Sequence, residues 1–244
     1  VKKALPLFAL LLALSCQTQG GLSPLFYSSI ASLDYSLYSK DTVIMEVYVY
    51  FDSPESASIT EFSYDEQGLL KQKTEYNLYP EAGSWILAKS IINQANYTWE
   101  NQRLQLITFF DDHQESYSWS DDKGVTHIGA RFGDQNSFLP DLLITFTYDE
   151  NGRYHSSEYT ENGGTGFKGY YFYEYEEDRL VKIVEKAEEE GETTQIGEYI
   201  LTWDEKGNLL SETSEASGRF FFYDSVPKEQ WPALIEEVLQ QGSL

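Results

Sequence analysis

The chain has a single cysteine, Cys16, in 244 residues, and only three histidines. A lone thiol excludes a disulfide framework and any cysteine cluster for a metal. His113, His127 and His155 show no close His–His or His–Cys spacing, which removes the usual zinc arrangements. Basic residues are scarce too: 17 Lys and Arg stand against 40 Asp and Glu, a formal charge of −23. Such a surface repels phosphate backbones, so nucleic-acid binding is set aside, and it offers no basic patch to anionic lipid. Long apolar runs are missing. The stretch Ala4 to Leu14 is interrupted by Pro6 and is too short for a spanning helix, which needs about 20 apolar residues. There is no Gly-X-Ser-X-Gly elbow, phosphate-binding glycine loop or dinucleotide fingerprint. The sequence therefore points to no catalytic residue, no metal and no cofactor.

What is present at the start has the order of an export signal: Lys2 and Lys3, the apolar run, then small residues leading into Cys16. Residues 1–15 are expected to be a signal peptide. Their removal takes two lysines, giving 15 − 40 = −25 for the remainder. Ala13-Leu14-Ser15-Cys16 resembles a bacterial lipobox, which implies acylation of Cys16 and a membrane partner held through an N-terminal lipid. Ala13 and Ser15 also fit ordinary cleavage before Cys16 and simple secretion. An unpaired thiol is otherwise odd in an exported protein, which favours the anchor. Gln17, where related sorting signals have Asp for retention, implies the outer rather than the inner membrane by the same resemblance. Residues 16–41 then read as anchor and polar tether, 42–224 as a β domain, and 225–244 as a C-terminal helix and tail.

The β domain announces itself by repetition. Six copies of aromatic or Leu, small or polar residue, aromatic occur: Phe62-Ser63-Tyr64, Tyr97-Thr98-Trp99, Tyr117-Ser118-Trp119, Phe146-Thr147-Tyr148, Tyr173-Glu174-Tyr175 and Leu201-Thr202-Trp203. Three continue into one turn formula, Asp65-Glu66-Gln67-Gly68, Asp149-Glu150-Asn151-Gly152 and Asp204-Glu205-Lys206-Gly207. Side chains alternate between the faces of a strand, so the two rings of a copy share one face and the residue between them points to the other. Asp bonds the backbone two residues on, and Gly takes the left-handed position without steric cost. Each copy is a hairpin. Two copies run into shorter turns without Gly, where Asn101 or Asp178 must go left-handed or the turn type must change. The expected fold is all-β: an antiparallel meander of repeated hairpins, about 13–14 strands, curling into a barrel or half-barrel. At the end, Leu234, Ile235, Val238 and Leu239 share one side of a short α-helix, expected to plug or cover an end of the domain.

Tyr148-Asp149-Glu150-Asn151-Gly152-Arg153, with the copies at Tyr64 and Trp203, resembles the tyrosine–aspartate (YD) repeat that builds the shells of large bacterial toxins. Similar strings occur in small envelope lipoproteins of unknown function, some described as porin-like barrels. The resemblance covers roughly residues 58–215 and implies a fold and an envelope location, without an activity. No separate toxic domain fits in this chain.

Two readings of the aromatic face stay open. Phe62, Tyr64, Tyr97, Trp99, Tyr117, Trp119, Phe146, Tyr148, Tyr173, Tyr175 and Trp203 are either the core of a curled sheet or a row of rings that stacks on a hydrophobic or carbohydrate ligand. Against insertion of the barrel in a membrane stand Glu61, Lys89, Glu158, Glu174, Lys182 and Glu198 scattered through the strands, and the helical C-terminus. Asp111-Asp112-His113-Gln114-Glu115 reads as a solvated loop. Function is expected to be a lipid-anchored binding or scaffold module, its partner an unknown protein, glycan or hydrophobic ligand. A glycan-active enzyme and a purely structural surface protein are the alternatives.

Overall fold

A computed structural model describes residues 41–51, 56–109, 114–120, 124–131, 141–161, 168–177, 179–189 and 191–242. The expected signal peptide, Cys16 and the tether up to residue 40 lie outside these residues.

Fourteen strands form one closed antiparallel barrel: β1 (Met45–Tyr50), β2 (Ala57–Tyr64), β3 (Leu70–Glu81), β4 (Ser84–Glu100), β5 (Arg103–Phe109), β6 (Gln114–Ser120), β7 (Gly124–Arg131), β8 (Leu142–Tyr148), β9 (Tyr154–Glu161), β10 (Lys168–Glu176), β11 (Arg179–Glu189), β12 (Glu192–Trp203), β13 (Leu209–Thr213) and β14 (Ser217–Phe222). Each strand pairs with the next, and β14 returns to β1 with Phe222 opposite Met45. Closure leaves neither the first nor the last strand as an edge.

Each motif copy closes an even-numbered strand, and the register slips by one residue at the same step in all six, before the second aromatic. The extra residue on the returning strand is Lys71, Gln105, Thr126, His155, Val181 or Leu210. These bulges sharpen the local twist. The three Asp-X-X-Gly turns are built alike: the Asp carboxylate accepts from the backbone N–H two and four residues on, at 2.8–2.9 Å in the first two turns. In the third, Asn208 N–H donates to Asp204 at 2.8 Å. Gly68, Gly152 and Gly207 have φ of 81, 77 and 91°. In the shorter turn both Asn101 and Gln102 are left-handed, φ 52 and 63°, so the left-handed demand on Asn101 is met and the turn type changes as well. Asp178 lies outside the described residues, and Glu177 before it has φ 53°.

The helix α1 (Trp231–Gly242) departs from expectation in its place. It does not plug an end. It packs against β1, β4 and β14 on the outside of the wall, where Trp231, Ile235 and Val238 cover Met45, Val47, Val49, Ala57, Ile59, Leu78, Trp85 and Phe220. The reason is local: these wall residues are apolar on the outward face, and a lone patch of that kind demands a cover. Lys228, just before the helix, bridges to Glu61 at 3.2 Å and lies over the Tyr76 ring at 3.8 Å.

Candidate functional site: the barrel interior

Along the motif copies the barrel sorts its two faces. Middle residues of the copies, Ser63, Thr98, Ser118, Thr147, Glu174 and Thr202, are all exposed on the outer wall. Outer hydroxyls pair across strands, Thr147 with Ser156 at 2.8 Å and Thr202 with Ser211 at 2.6 Å. The first residues, Phe62, Tyr117, Phe146, Tyr173 and Leu201, are buried inside, with Tyr97 packed among them. The second aromatics, Tyr64, Trp99, Trp119, Tyr148, Tyr175 and Trp203, form a half-buried ring at the end of the barrel that carries the short turns. All eleven candidate aromatics of the sequence therefore face inward; none forms an exposed row.

The ring has a common device. Trp99, Trp119 and Trp203 donate their indole N–H to the carbonyls of Leu70, Leu104 and Leu180 at 2.7, 2.6 and 2.9 Å. Tyr64 and Tyr148 donate their hydroxyls to the carbonyls of Val43 and Val125 at 2.5 and 2.6 Å. The three indoles and Tyr148 thus bond a carbonyl next to the bulged residue at the start of the neighbouring strand, whereas Tyr64 bonds one just before β1, which has no bulge. Tyr175 differs, lying under the Arg153 guanidinium at 4.5 Å. A seventh member escaped the sequence reading: Phe221-Phe222-Tyr223-Asp224 keeps the two spaced aromatics and the acid, with Phe222 in place of the small or polar residue, and Tyr223 donates to the Leu209 carbonyl at 2.7 Å. The signal was present in the composition, but no hairpin turn follows it.

Deeper inside lies a buried polar cluster that the motif did not foretell. On β14, Arg219 donates to Glu46 on β1, at 3.1 Å from Nε and 3.2 Å from Nη2, and to Glu212 on β13 at 3.3 Å. Lys73 stands over the rings of Phe62 and Tyr97, 4.8 and 5.9 Å from their centres. Burial pulls its ammonium down to about 8, against the opposing pull of Glu46, Glu115 and Glu75. Glu115, read from sequence as part of a solvated loop, is instead fully buried on β6 and accepts from the Tyr117 hydroxyl at 2.7 Å. The alternation of β6 turns Glu115 to the same face as Tyr117, which overrides the polar composition around it. Gln114 opens the same strand, and 111–113 of that loop lie outside the described residues.

Further along the barrel, Glu185 accepts three phenolic hydroxyls at 3.0 Å each, from Tyr159, Tyr171 and Tyr199. Burial raises this carboxyl above its usual range, and the three bonds restrain the rise. Gly169 makes room: a Cβ there would fall 2.0 Å from the Tyr159 ring.

Chemically, these carboxylates are enclosed. Glu75 and Glu185 are 1% exposed and Glu115 is 0%, and Lys73 beside them is 1% exposed, so their surfaces are covered by protein. Glu46 and Glu212 flank an arginine rather than a cleft. Among the described residues, no three His, Cys, Asp or Glu side chains converge in a metal-binding group. The charges named in the sequence fall elsewhere: Glu61, Glu158, Glu174, Lys182 and Glu198 sit on the outer face, with Lys182 bridging to Glu174 at 2.9 Å.

No protein-family model matches the chain, and no curated protein matches it in sequence. Among solved structures, it is similar to a porin-like protein from Bacteroides uniformis, with 10% identity and a TM-score of 0.47, over 76% of this chain and 99% of that one. A porin-like protein from Bacteroides vulgatus is similar at 10% identity and a TM-score of 0.34, over 76% of this chain and 100% of that one. TcdB2-TccC3 without its hypervariable C-terminal region is similar at 18% identity and a TM-score of 0.32, over 66% of this chain and 8% of that one. None of these likenesses carries an activity to this chain.

Proposed function

We propose that this protein is an exported, lipid-anchored envelope protein whose barrel stands in water as a binding or scaffold module. The observation that carries the reading is the sorting of the two faces. A membrane-embedded barrel presents an apolar band outward and a polar lumen inward. Here hydroxyls and charges point outward, apart from the apolar patch that α1 covers and scattered exposed residues such as Ile91 and Leu210, while rings and enclosed ion pairs fill the inside. That arrangement supports a wall facing water, and membrane attachment then falls to Cys16 and the acyl chains its lipobox-like setting implies. The buried interior also favours partners on the outer surface over a ligand carried among the rings.

The test is fractionation of the envelope with lipid labelling. The native protein is expected to take label and sediment with membranes. Cys16→Ser is expected to lose the label and move to the soluble envelope fraction, or to remain unprocessed, with its barrel intact by circular dichroism. Membrane retention without label, released only by detergent, would overturn the reading and favour an inserted wall.

A further inference from the structure

We infer that ordered water is bound inside the barrel against β2, β3 and β4, held by the hydroxyls of Ser58 and Thr60 and the amide of Asn93. These side chains are 7%, 3% and 5% exposed, so bulk solvent does not satisfy them. The register turns all three inward. Thr60 stands opposite Glu46 on β1 and Glu75 on β3, Glu75 stands opposite Asn93 on β4, and Ser58 stands opposite Tyr48. Glu46 marks the inner face through its bond to Arg219, while Ile59, between Ser58 and Thr60, belongs to the outer cluster under α1. Among the described residues, neither hydroxyl has a hydrogen-bond partner. Asn93 uses only its side-chain oxygen, which accepts from the Gln94 N–H at 2.8 Å, and its NH2 group keeps two donors unused. Buried polar side chains find a partner in protein or in ordered water, and one with neither loses its hydration without return.

Space points the same way. About eight strands make a barrel that side chains just fill, and the interior widens as strands are added. This barrel has fourteen. Across the lumen, the phenols of Tyr159, Tyr171 and Tyr199 fill the width, gathered on Glu185. The wall of β2 and β4 faces them with Ser58, Thr60, Asn93 and Ala95, all short side chains. Short polar residues on one wall of a wide barrel are the setting in which proteins keep internal water.

The mixture of groups selects water over an ion. Asn93 presents N–H donors, which disfavour a cation, and the neighbouring acids Glu46 and Glu75 disfavour an anion. A water molecule accepts from the amide and donates to a hydroxyl or carboxylate, and a buried water makes about three such bonds. Neither the anchor nor any partner of the outer wall enters into this, so the water site and the proposed function fail separately.

The test counts long-lived internal waters in the purified full chain by oxygen-17 and deuteron relaxation dispersion. Thr60→Val with Asn93→Leu keeps the shapes and removes the polar atoms, and is expected to lower the count by one or more. Thr60→Ser keeps a hydroxyl and is expected to keep the native count. Near-ultraviolet dichroism checks that each variant is folded; where the double variant is not, the near-isosteric single change Thr60→Val takes its place. Urea unfolding gives a second reading of that single change. If Thr60 holds water, Thr60→Val takes a partner from the water and lowers the midpoint; a hydroxyl buried dry would be relieved by the same change, and the midpoint would rise. A count equal in the native protein and the folded apolar variant would overturn the proposal, and so would a raised midpoint for Thr60→Val.

Discussion

Arg219 holds its guanidinium between Glu46 and Glu212 where the chain closes on itself, so one side chain ties β1, β13 and β14 from within. Removing one partner from a buried ion pair leaves charge without compensation, at about 3–5 kcal/mol. Arg219→Met is expected to lower stability by that amount in urea unfolding, although Met is a good apolar filler. An unchanged midpoint would show that the carboxylates find other partners. Glu185 makes the opposite kind of prediction. Its folded carboxyl is raised above the ordinary 4.5 by burial, so ionising it opposes folding. Stability from this group is present below pH 4.5 and is lost as pH rises through the folded value. Glu185→Gln removes that dependence, and the variant is expected to gain on the native protein across this interval. Parallel stability curves for the two proteins would refute it.

At the scale of elements, α1 is the piece whose loss is easiest to read. Trp231 is fully buried, donates to the Val226 carbonyl at 2.9 Å and leans on Tyr76 with ring centres 5.3 Å apart. Trp231→Ala is expected to cost about 3–5 kcal/mol in denaturant unfolding and to expose the outer patch at Met45, Val47 and Ile59, detectable by binding of a hydrophobic dye. The helix itself was legible from the spacing of Leu234, Ile235, Val238 and Leu239, but its seat was not. The outward apolar face of β1 becomes evident only when Glu46, paired with Arg219, fixes which face is inside. Hairpins were legible because Asp and Gly sit at fixed offsets and the rings alternate. The Tyr223 copy was hidden because its strand leads into the helix instead of a turn. Buried acids such as Glu75, Glu115 and Glu185 look like solvated ones in a chain this acidic. What hides Glu185 is three-dimensional: the phenols of Tyr159, Tyr171 and Tyr199 reach it from three other strands.

For the whole molecule, the tyrosine-rich interior sets an alkaline limit. Burial raises the phenols of Tyr97, Tyr171 and Tyr173 above the ordinary 10.0. Above pH 10 the unfolded chain releases these protons and the folded one keeps them, so each such phenol removes about 1.4 kcal/mol of stability per pH unit. Lys73 works the other way between about 8 and 10.5, but it is one group against several. The barrel is therefore expected to lose its fold cooperatively above pH 10, with phenolate absorbance and the near-ultraviolet dichroism changing in one step. A gradual titration of phenols in a folded protein would contradict this.

The seam between β1 and β14 bears on the order of events when the chain folds. Thirteen of the pairings join consecutive strands, and each can form once its two strands exist. The remaining one joins Met45 to Phe222, 222 − 45 = 177 positions apart. Contacts so distant in sequence are slow to form, because the intervening chain must be confined before they reward it. A chain emerging in order from its N-terminal side has β1 waiting, one edge unsatisfied, until β14 arrives with the arginine that Glu46 requires. The meander is thus a clock as well as a wall: its last tick is the ion pair that locks the cylinder, and any pause before residue 219 leaves an open sheet with a carboxylate bared along its first strand.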